Sequence, residues 1–261
     1  MIQITNLATG YGHKVVTSGL TETLQAGQLV SLLGANGVGK STLLRTLCAF
    51  QPPLQGEIRI QGKPLSQLTP VQQSQLIGVV LTERPDTGNL TVRDMVAMGR
   101  SPYTGFWGTL HAEDEQIVSR AMQLVDISHM QNRKVSTLSD GERQKTMIAK
   151  ALAQETPIIL LDEPTAFLDF PSKVEMTRLL RRLAHEEQKV IFLSTHDVEM
   201  ALQLSDRLWL MTTQGVISGT PQQLSQDGSL RNFIQQDGIQ FDPSLMSYRI
   251  SPTTSPEKGE V

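Results

Sequence analysis

The chain has 261 residues, 39% of them hydrophobic, a formal net charge of -3 and one cysteine, Cys48. That length suits one large domain or two small ones, with a normal core and no need of disulfide or metal staples, and a lone cysteine excludes an internal disulfide framework. The slightly acidic balance argues against a nucleic-acid partner, since such domains are usually clearly basic.

In chain order, Met1 to about Gln28 shows short alternating runs and Gly turns, which predict antiparallel strands. Met1 to Leu7 reads as a strand and not as a signal peptide. Gln28 to Leu33 is a short apolar strand that runs into a Gly-rich loop and a helix from about Lys40 to Ala49. Gly56 to Gln61 is expected as an exposed strand and Leu76 to Leu81 as a buried one. From about Thr91 to Ala153 the pattern turns helical. Ala112 to Val125 sets Ile117, Ala121, Leu124 and Val125 on one face, behind an acidic first turn. Asp140 to Ala153 forms a second helix.

Strands at Ile158 to Leu161 and Val190 to Ser194 then alternate with helices at Ser172 to Glu187 and Val198 to Leu204, and Leu208 to Gly219 suggests a final hairpin. The pattern predicts an α/β fold with a mostly parallel sheet covered on both faces, an N-terminal antiparallel β subdomain and an inserted helical subdomain. After about Ile250 the composition is that of a disordered tail. No apolar run approaches the roughly 20 residues that cross a bilayer, so a membrane role needs a partner. No internal repeat is present, so one chain carries one such unit.

Gly34-Ala-Asn-Gly-Val-Gly-Lys-Ser-Thr42 follows a strand and opens a helix, the context a phosphate-binding loop requires. Glycines 34, 37 and 39 let the backbone curl its N–H groups toward phosphate oxygens, and the helix adds its positive end. Lys40 brings a full charge to the β/γ-phosphates and Ser41 offers a hydroxyl to Mg²⁺. Asn36 and Thr42 are assigned to the same nucleotide contact. This loop predicts nucleoside triphosphate binding and leaves open what the energy drives.

Ile158-Ile-Leu-Leu-Asp-Glu-Pro164 is an apolar strand ending in two carboxylates. Asp162 is placed to orient Mg²⁺ through water and Glu163 to polarise the attacking water as general base. Between the two motifs, Leu138-Ser-Asp-Gly-Glu-Arg-Gln-Lys145 opens a helix. Ser139 offers a hydroxyl, Gly141 an unhindered N–H and the helix its dipole, which together make a second anion site. Taken alone this is also an ordinary helix cap.

The set resembles the ATP-binding-cassette (ABC) ATPases, whose signature is usually Leu-Ser-Gly-Gly followed by Gln or Glu. The order of the motifs carries the resemblance over about Met1 to Pro221. It implies ATP as ligand with Mg²⁺, ATP hydrolysis, and an ATP-binding domain over 1–226 with its helical subdomain at about 88–153. It implies a C-terminal extension over 227–261. It also implies a head-to-tail pairing of two copies, in which Ser139 and Gly141 reach the γ-phosphate held by the other copy. By resemblance, Tyr11 stacks on adenine, Asp169 in Ala166-Phe-Leu-Asp169 lies on the dimer-crossing loop, and His196 in Ser194-Thr-His-Asp197 holds the γ-phosphate and the water.

The sequence departs from the family in three places. The Gln expected after Leu76 to Leu81 is absent from Val79-Val-Leu-Thr-Glu-Arg-Pro85, so Thr82 or Glu83 is the candidate replacement as an oxygen donor to Mg²⁺. Asp140 stands for the usual Gly, and Ala166 for a common Ser.

Val92-Arg-Asp-Met-Val-Ala-Met-Gly-Arg-Ser-Pro-Tyr103 is similar to a stretch in importer subunits for iron–siderophores, haem and vitamin B12. This similarity implies transmembrane permease subunits as partners, an extracytoplasmic substrate-binding protein acting indirectly, and a place on the cytoplasmic face of the cell membrane. Tyr103, Phe106 and Trp107 either anchor a permease helix or pack the helical subdomain internally. The rival readings are a soluble ABC ATPase outside transport and a small-molecule kinase. The first usually has tandem cassettes or a long coiled-coil insertion, and the second has no use for the signature helix.

Overall fold

The computed structural model of the chain describes residues 1–12, 14–82, 87–105, 108–235 and 239–250. The chain opens with β1 (Ile2–Tyr11), β2 (Lys14–Leu24) and β3 (Gln28–Gly34), then α1 (Lys40–Leu47), β4 (Gln55–Ile60), β5 (Lys63–Pro64), α2 (Pro70–Ser74) and β6 (Ile77–Val80). A helical block follows: α3 (Val92–Ala97), α4 (Ala112–Leu124) and α5 (Asp140–Ala153). Alternation then resumes with β7 (Ile158–Asp162), α6 (Phe170–Glu186), β8 (Val190–Thr195), α7 (Val198–Leu204), β9 (Arg207–Thr212) and β10 (Gly215–Gly219). The described chain closes with α8 (Pro221–Gln226), α9 (Ser229–Ile234), β11 (Ile239–Asp242) and β12 (Ser247–Ile250).

The strands form an antiparallel sheet in the order β2-β1-β4-β5 and a larger sheet in the order β10-β9-β3-β8-β7-β6. All pairs of the larger sheet are parallel except the β9–β10 hairpin. Strands covered on both faces read as continuous apolar runs. Accordingly β8 is buried along its whole length and β7 up to Leu161. One core lies between the antiparallel sheet, α1 and one face of the parallel sheet. In it Phe192 and Trp209 meet edge to face with centroids 5.0 Å apart. A second core joins the opposite face to α3, α4, α5 and α6. A third gathers Leu33, Leu202, Leu208, Leu230 and Phe241 beneath the C-terminal segment.

Several expected features shift. On β4, Ile58 and Ile60 are buried against β1, so this strand is not an exposed one. The strand expected to reach Leu81 stops at Val80, and Leu81 faces outward. On α4, Ala121 is buried as expected, with Val125 just beyond its end, but Val118 and Met122 take the centre of the buried stripe and Ile117 and Leu124 its margins. The stripe is rotated because α4 packs on both α3 and α5 and not on a single neighbour. α9 and the β11–β12 hairpin were not anticipated. The segment expected to be disordered lies, from residue 251 on, outside the described residues.

One buried cation ties the helical block together. Arg100 donates from Nε to Asp114 Oδ1 (2.8 Å) and from Nη1 to Ala153 O (2.8 Å) and Glu155 Oε2 (2.9 Å). These bonds join the end of α3 to the start of α4 and the end of α5, so the position of α5 relative to the sheet is set by a charged clamp as well as by apolar packing.

Candidate nucleotide site

The C-terminal ends of β3, β7 and β8 converge where ligands bind in open α/β sheets. β3 runs directly into the loop 35–39. Gly37 sits at φ +76° with open space around it, and Gly39 at φ +115°, where a side chain would collide with Val16 of β2. Any residue bearing a Cβ is strained at either position, so the loop demands glycine there. The curl ends on α1, whose first residue is Lys40.

Lys40 is buried. Its ammonium donates to Gly34 O (2.8 Å) and Ala35 O (3.2 Å) and lies 3.5 Å from both ring nitrogens of His196. Burial lowers its pKa, against the opposing pull of the Glu163 and Asp162 carboxylates.

Asp162 pairs with Ser194 in the β7–β8 register, and the Ser194 hydroxyl donates to Asp162 Oδ1 (2.6 Å). The same hydroxyl oxygen accepts the Glu163 N–H at 3.0 Å. Ser194 therefore fixes both acidic residues, a role that sequence reading did not give it. Glu163 adopts φ +47°, a left-handed conformation unusual for a residue with a side chain. That turn carries its carboxylate to His196, with Glu163 Oε1 2.5 Å from His196 Nε2. Such strain, held by surrounding bonds, concentrates at sites of chemistry. Thr82, just past β6, donates its hydroxyl to the Asp162 carbonyl at 2.7 Å. Glu83 lies outside the described residues.

The fold thus brings together Gly34, Lys40, Asp162, Glu163, His196 and Thr82, residues drawn from four separate stretches of chain. Ser41 and Thr42 follow Lys40 in the first turn of α1, and Asn36 lies on the loop itself. Tyr11 ends β1 opposite Lys14, with its ring half-exposed.

Ser139, Gly141 and Asp169 stand apart from this cluster. Ser139 caps α5. Its hydroxyl accepts from Glu142 N (3.3 Å), while its own N–H and hydroxyl donate to Glu142 Oε2 (2.9 and 3.1 Å). The backbone bond from Ser139, with the Arg133 bond, holds the Glu142 carboxyl below its ordinary pKa. Asp169 caps α6 by accepting from Ser172 N (3.0 Å), and bonds from Ser172 lower its pKa too. A Cβ placed on Gly141 would meet nothing nearer than Leu168 Cδ2 at 3.9 Å, and Gly141 is not among the residues with positive φ. Neither backbone nor packing within one chain requires glycine there.

The donor set fits a magnesium-bound polyphosphate. The loop presents backbone and one ammonium, Ser41 and Thr82 supply hydroxyl oxygens, and Asp162 keeps a carboxylate oxygen beyond the one bonded to Ser194. Fold and site together define a phosphate-loop nucleotide hydrolase. The comparisons narrow the class. The profile of the ABC transporter family matches residues 17–166, more than half of the chain. An uncharacterized ABC transporter ATP-binding protein of Methanocaldococcus jannaschii is 41% identical over 218 residues, covering 84% of this chain and 75% of that protein. The ferric enterobactin transport ATP-binding protein FepC of Escherichia coli is 34% identical over 257 residues, covering 95% of each chain. The iron(3+)-hydroxamate import ATP-binding protein FhuC of Bacillus subtilis is 31% identical, covering 91% of this chain and 89% of that one. A bacterial ABC transporter cassette solved as a dimer superposes with a TM-score of 0.71 at 25% identity, covering 85% of this chain and 99% of that chain. The chain belongs to the ABC transporter family and is one of its ATP-hydrolysing cassettes.

Proposed function

We propose that this chain is the ATP-binding subunit of an importer for iron–siderophore, haem or cobalamin, working as a head-to-tail pair on the cytoplasmic face of the membrane. Its partners in this reading are transmembrane permease subunits and, indirectly, an extracytoplasmic substrate-binding protein. The relatives named for ferric enterobactin and iron(3+)-hydroxamate support the iron–siderophore member of that solute class. Among the described residues no helix is long and apolar enough to cross a membrane, so in this reading attachment goes through the permease.

In each copy, Tyr11 stacks on adenine, and the loop from Gly34 to Thr42, with Asn36, Gly37, Gly39 and Ser41, binds the phosphates. Lys40 neutralises the β/γ oxygens. Ser41 and Thr82, with Asp162 acting through water, would hold Mg²⁺, which would supply charge stabilisation to the transferring phosphoryl group. Glu163 takes the proton of the attacking water, and His196, 2.5 Å from it, orients both. Ser139 and Gly141 of the second copy close over the γ-phosphate, and Asp169 lies on the loop crossing between copies. ATP favours the closed pair over the open one, which is the differential binding a switch requires. The proposed domain covers 1–226, with the helical subdomain at about 88–153 and the extension after it.

In this reading a permease helix docks near Tyr103, where a cleft of about 390 Å³ bordered by Phe50, Pro70, Gln73, Lys150 and Gln154 adjoins the helical block. Tyr103 stands at the edge of the helical block, its hydroxyl donating to Gln154 O (3.0 Å) and its ring beneath Arg100. Phe106 and Trp107 lie outside the described residues.

The observation that carries the pairing is Gly141, a glycine at a helix start where a Cβ would meet only Leu168 Cδ2, at 3.9 Å, and where φ is not positive. The test is Glu163→Gln with ATP and Mg²⁺, followed by size-exclusion chromatography with light scattering. A dimer that persists with ATP and reverts with ADP is expected. An ATP-loaded chain that stays monomeric overturns the reading.

A further inference from the structure

Beside the nucleotide site, the C-terminal segment borders a second, partly open cavity. It measures about 600 Å³ and lies between the exit of β3, the end of β9, the start of α7, α9 and the β11–β12 hairpin. Its walls are mainly apolar, with Val198, Met211, Phe233, Ile239 and Tyr248 prominent. The hairpin wall is fixed in two ways. Phe241 is buried in the third core, and the Ser247 hydroxyl donates to Glu199 Oε1 of α7 at 3.1 Å.

Among the described residues the lining contains no Asp, Glu, Lys or Arg, and its polar side chains, apart from the Tyr248 hydroxyl, are His196, Thr212, Thr213 and Asn232. Gly34, Ala35 and Val38 of the phosphate loop form one wall, while neither Tyr11 nor Lys40 lines it, so it adjoins the proposed phosphate site from the side of the C-terminal segment. A space of this size with apolar walls and a few hydrogen-bonding groups has the make-up of a small-molecule site. Among the described lining residues an anion or cation would find no side-chain counter-charge to offset its lost hydration, which favours a neutral ligand. His196 is shared: its ring forms part of this wall and also faces Glu163 at 2.5 Å.

We propose that this cavity binds a neutral, mainly apolar small molecule carrying one or two hydrogen-bonding groups, and that its occupancy controls ATP turnover through His196. The control rests on the role proposed above for His196; the binding does not.

The probe is N-phenyl-1-naphthylamine, a neutral aromatic amine that fluoresces in apolar surroundings, titrated without nucleotide into the full chain. Saturable binding of one probe per chain is expected. Ile239→Trp, which fills the cavity, and Asn232→Asp, which places a charge in its wall at an exposed position, should each weaken binding by about tenfold or more. Probe should change the ATP turnover of the unaltered chain and leave that of Ile239→Trp unchanged. Non-saturable fluorescence, or equal affinity in all three proteins, overturns the site. Tight, variant-sensitive binding with no effect on turnover overturns the control through His196. A chain that hydrolyses no ATP even without probe counts against the proposed catalytic roles and leaves the titration readable.

Discussion

The cluster of Lys40, Asp162, Glu163 and His196 and the helix end at Ser139 and Gly141 are built in opposite ways. The first is assembled by tertiary structure, from residues up to 156 positions apart, and its groups bond to one another across three strand ends. The second is assembled locally, by a capping box within four residues at an exposed helix start. A surface whose polar groups satisfy one another, and whose backbone is strained into place at Glu163, is ready to act. A capped helix end with an unforced glycine is complete as structure and idle as chemistry until something is brought to it. The two halves therefore differ in what a substitution should break.

The largest effect is expected at Glu163. Glu163→Gln keeps the shape and removes the base, so ATP hydrolysis should fall by about 10²–10⁴-fold, the usual contribution of a positioned general base. ATP binding and ATP-driven pairing should survive. Gly141→Asp should abolish hydrolysis to a similar extent by another route. The fold has room for the side chain, with Leu168 as its nearest neighbour, but a carboxylate would face the incoming polyphosphate. That variant should bind ATP as a monomer and fail to pair. Turnover assays combined with light scattering separate the two. If Gly141→Asp still pairs with ATP, the local half contributes nothing across the interface.

The next effect concerns what holds the second half in position. Arg100→Met leaves Asp114 buried without its counter-charge, and breaking a buried pair in this way typically costs about 3–5 kcal/mol. The loss should appear by hydrogen exchange in α4 and α5 before it reaches β3, β7 and β8. A smaller effect of the same kind follows from pH. Asp114 is held below its ordinary pKa by its bond to the His111 N–H and by Arg100, and Glu142 by Ser139 and Arg133. A carboxyl whose pKa is depressed in the folded state adds stability above its unfolded pKa and loses it as pH falls through the folded one. The helical block should therefore loosen as pH drops below about 4. Exchange in α4 and α5 measured from neutral pH downward checks this, and uniform loosening of sheet and helices together would contradict it.

Much of the first half was legible in the sequence because its strands are buried on both faces. The run Ile158 to Leu161 is continuously apolar and too short for a helix, so it reads as a covered strand, and Gly37 and Gly39 of the loop are forced by φ. Helix α5 was legible down to its first residue, since Ser139 and Glu142 form a local cap. What escaped depends on contacts distant in sequence. The two hydrogen bonds of Ser194, one donated to Asp162 and one accepted from the Glu163 N–H, the left-handed turn at Glu163 and the Arg100 clamp carry no local signal. Helix α6 begins at Phe170, two residues before the expected start, because Asp169 is its cap and Pro171 is tolerated in a first turn. The β11–β12 hairpin was missed because strands of four residues, mixed in polarity, form no period long enough to read.

The smallest expected effect tests where the two halves approach each other. Thr82 and Glu163 share a narrow cleft with Asp140 and Arg143 of α5, so the exit of β6 is the seam between the sheet and the helical block. The Thr82 hydroxyl spends its proton on the Asp162 carbonyl and keeps oxygen lone pairs for Mg²⁺. Thr82→Val preserves shape and removes both functions. Loss of the hydrogen bond should cost about 1 kcal/mol of stability. Loss of the proposed oxygen donor should raise the Mg²⁺ concentration needed for half-maximal turnover. Thr82→Ser restores the hydroxyl and should restore both. A stability loss with unchanged Mg²⁺ dependence would make Thr82 a strap between strands and not a ligand. The missing glutamine of the family would then have no replacement at that position, and the seam would transmit closure through packing alone.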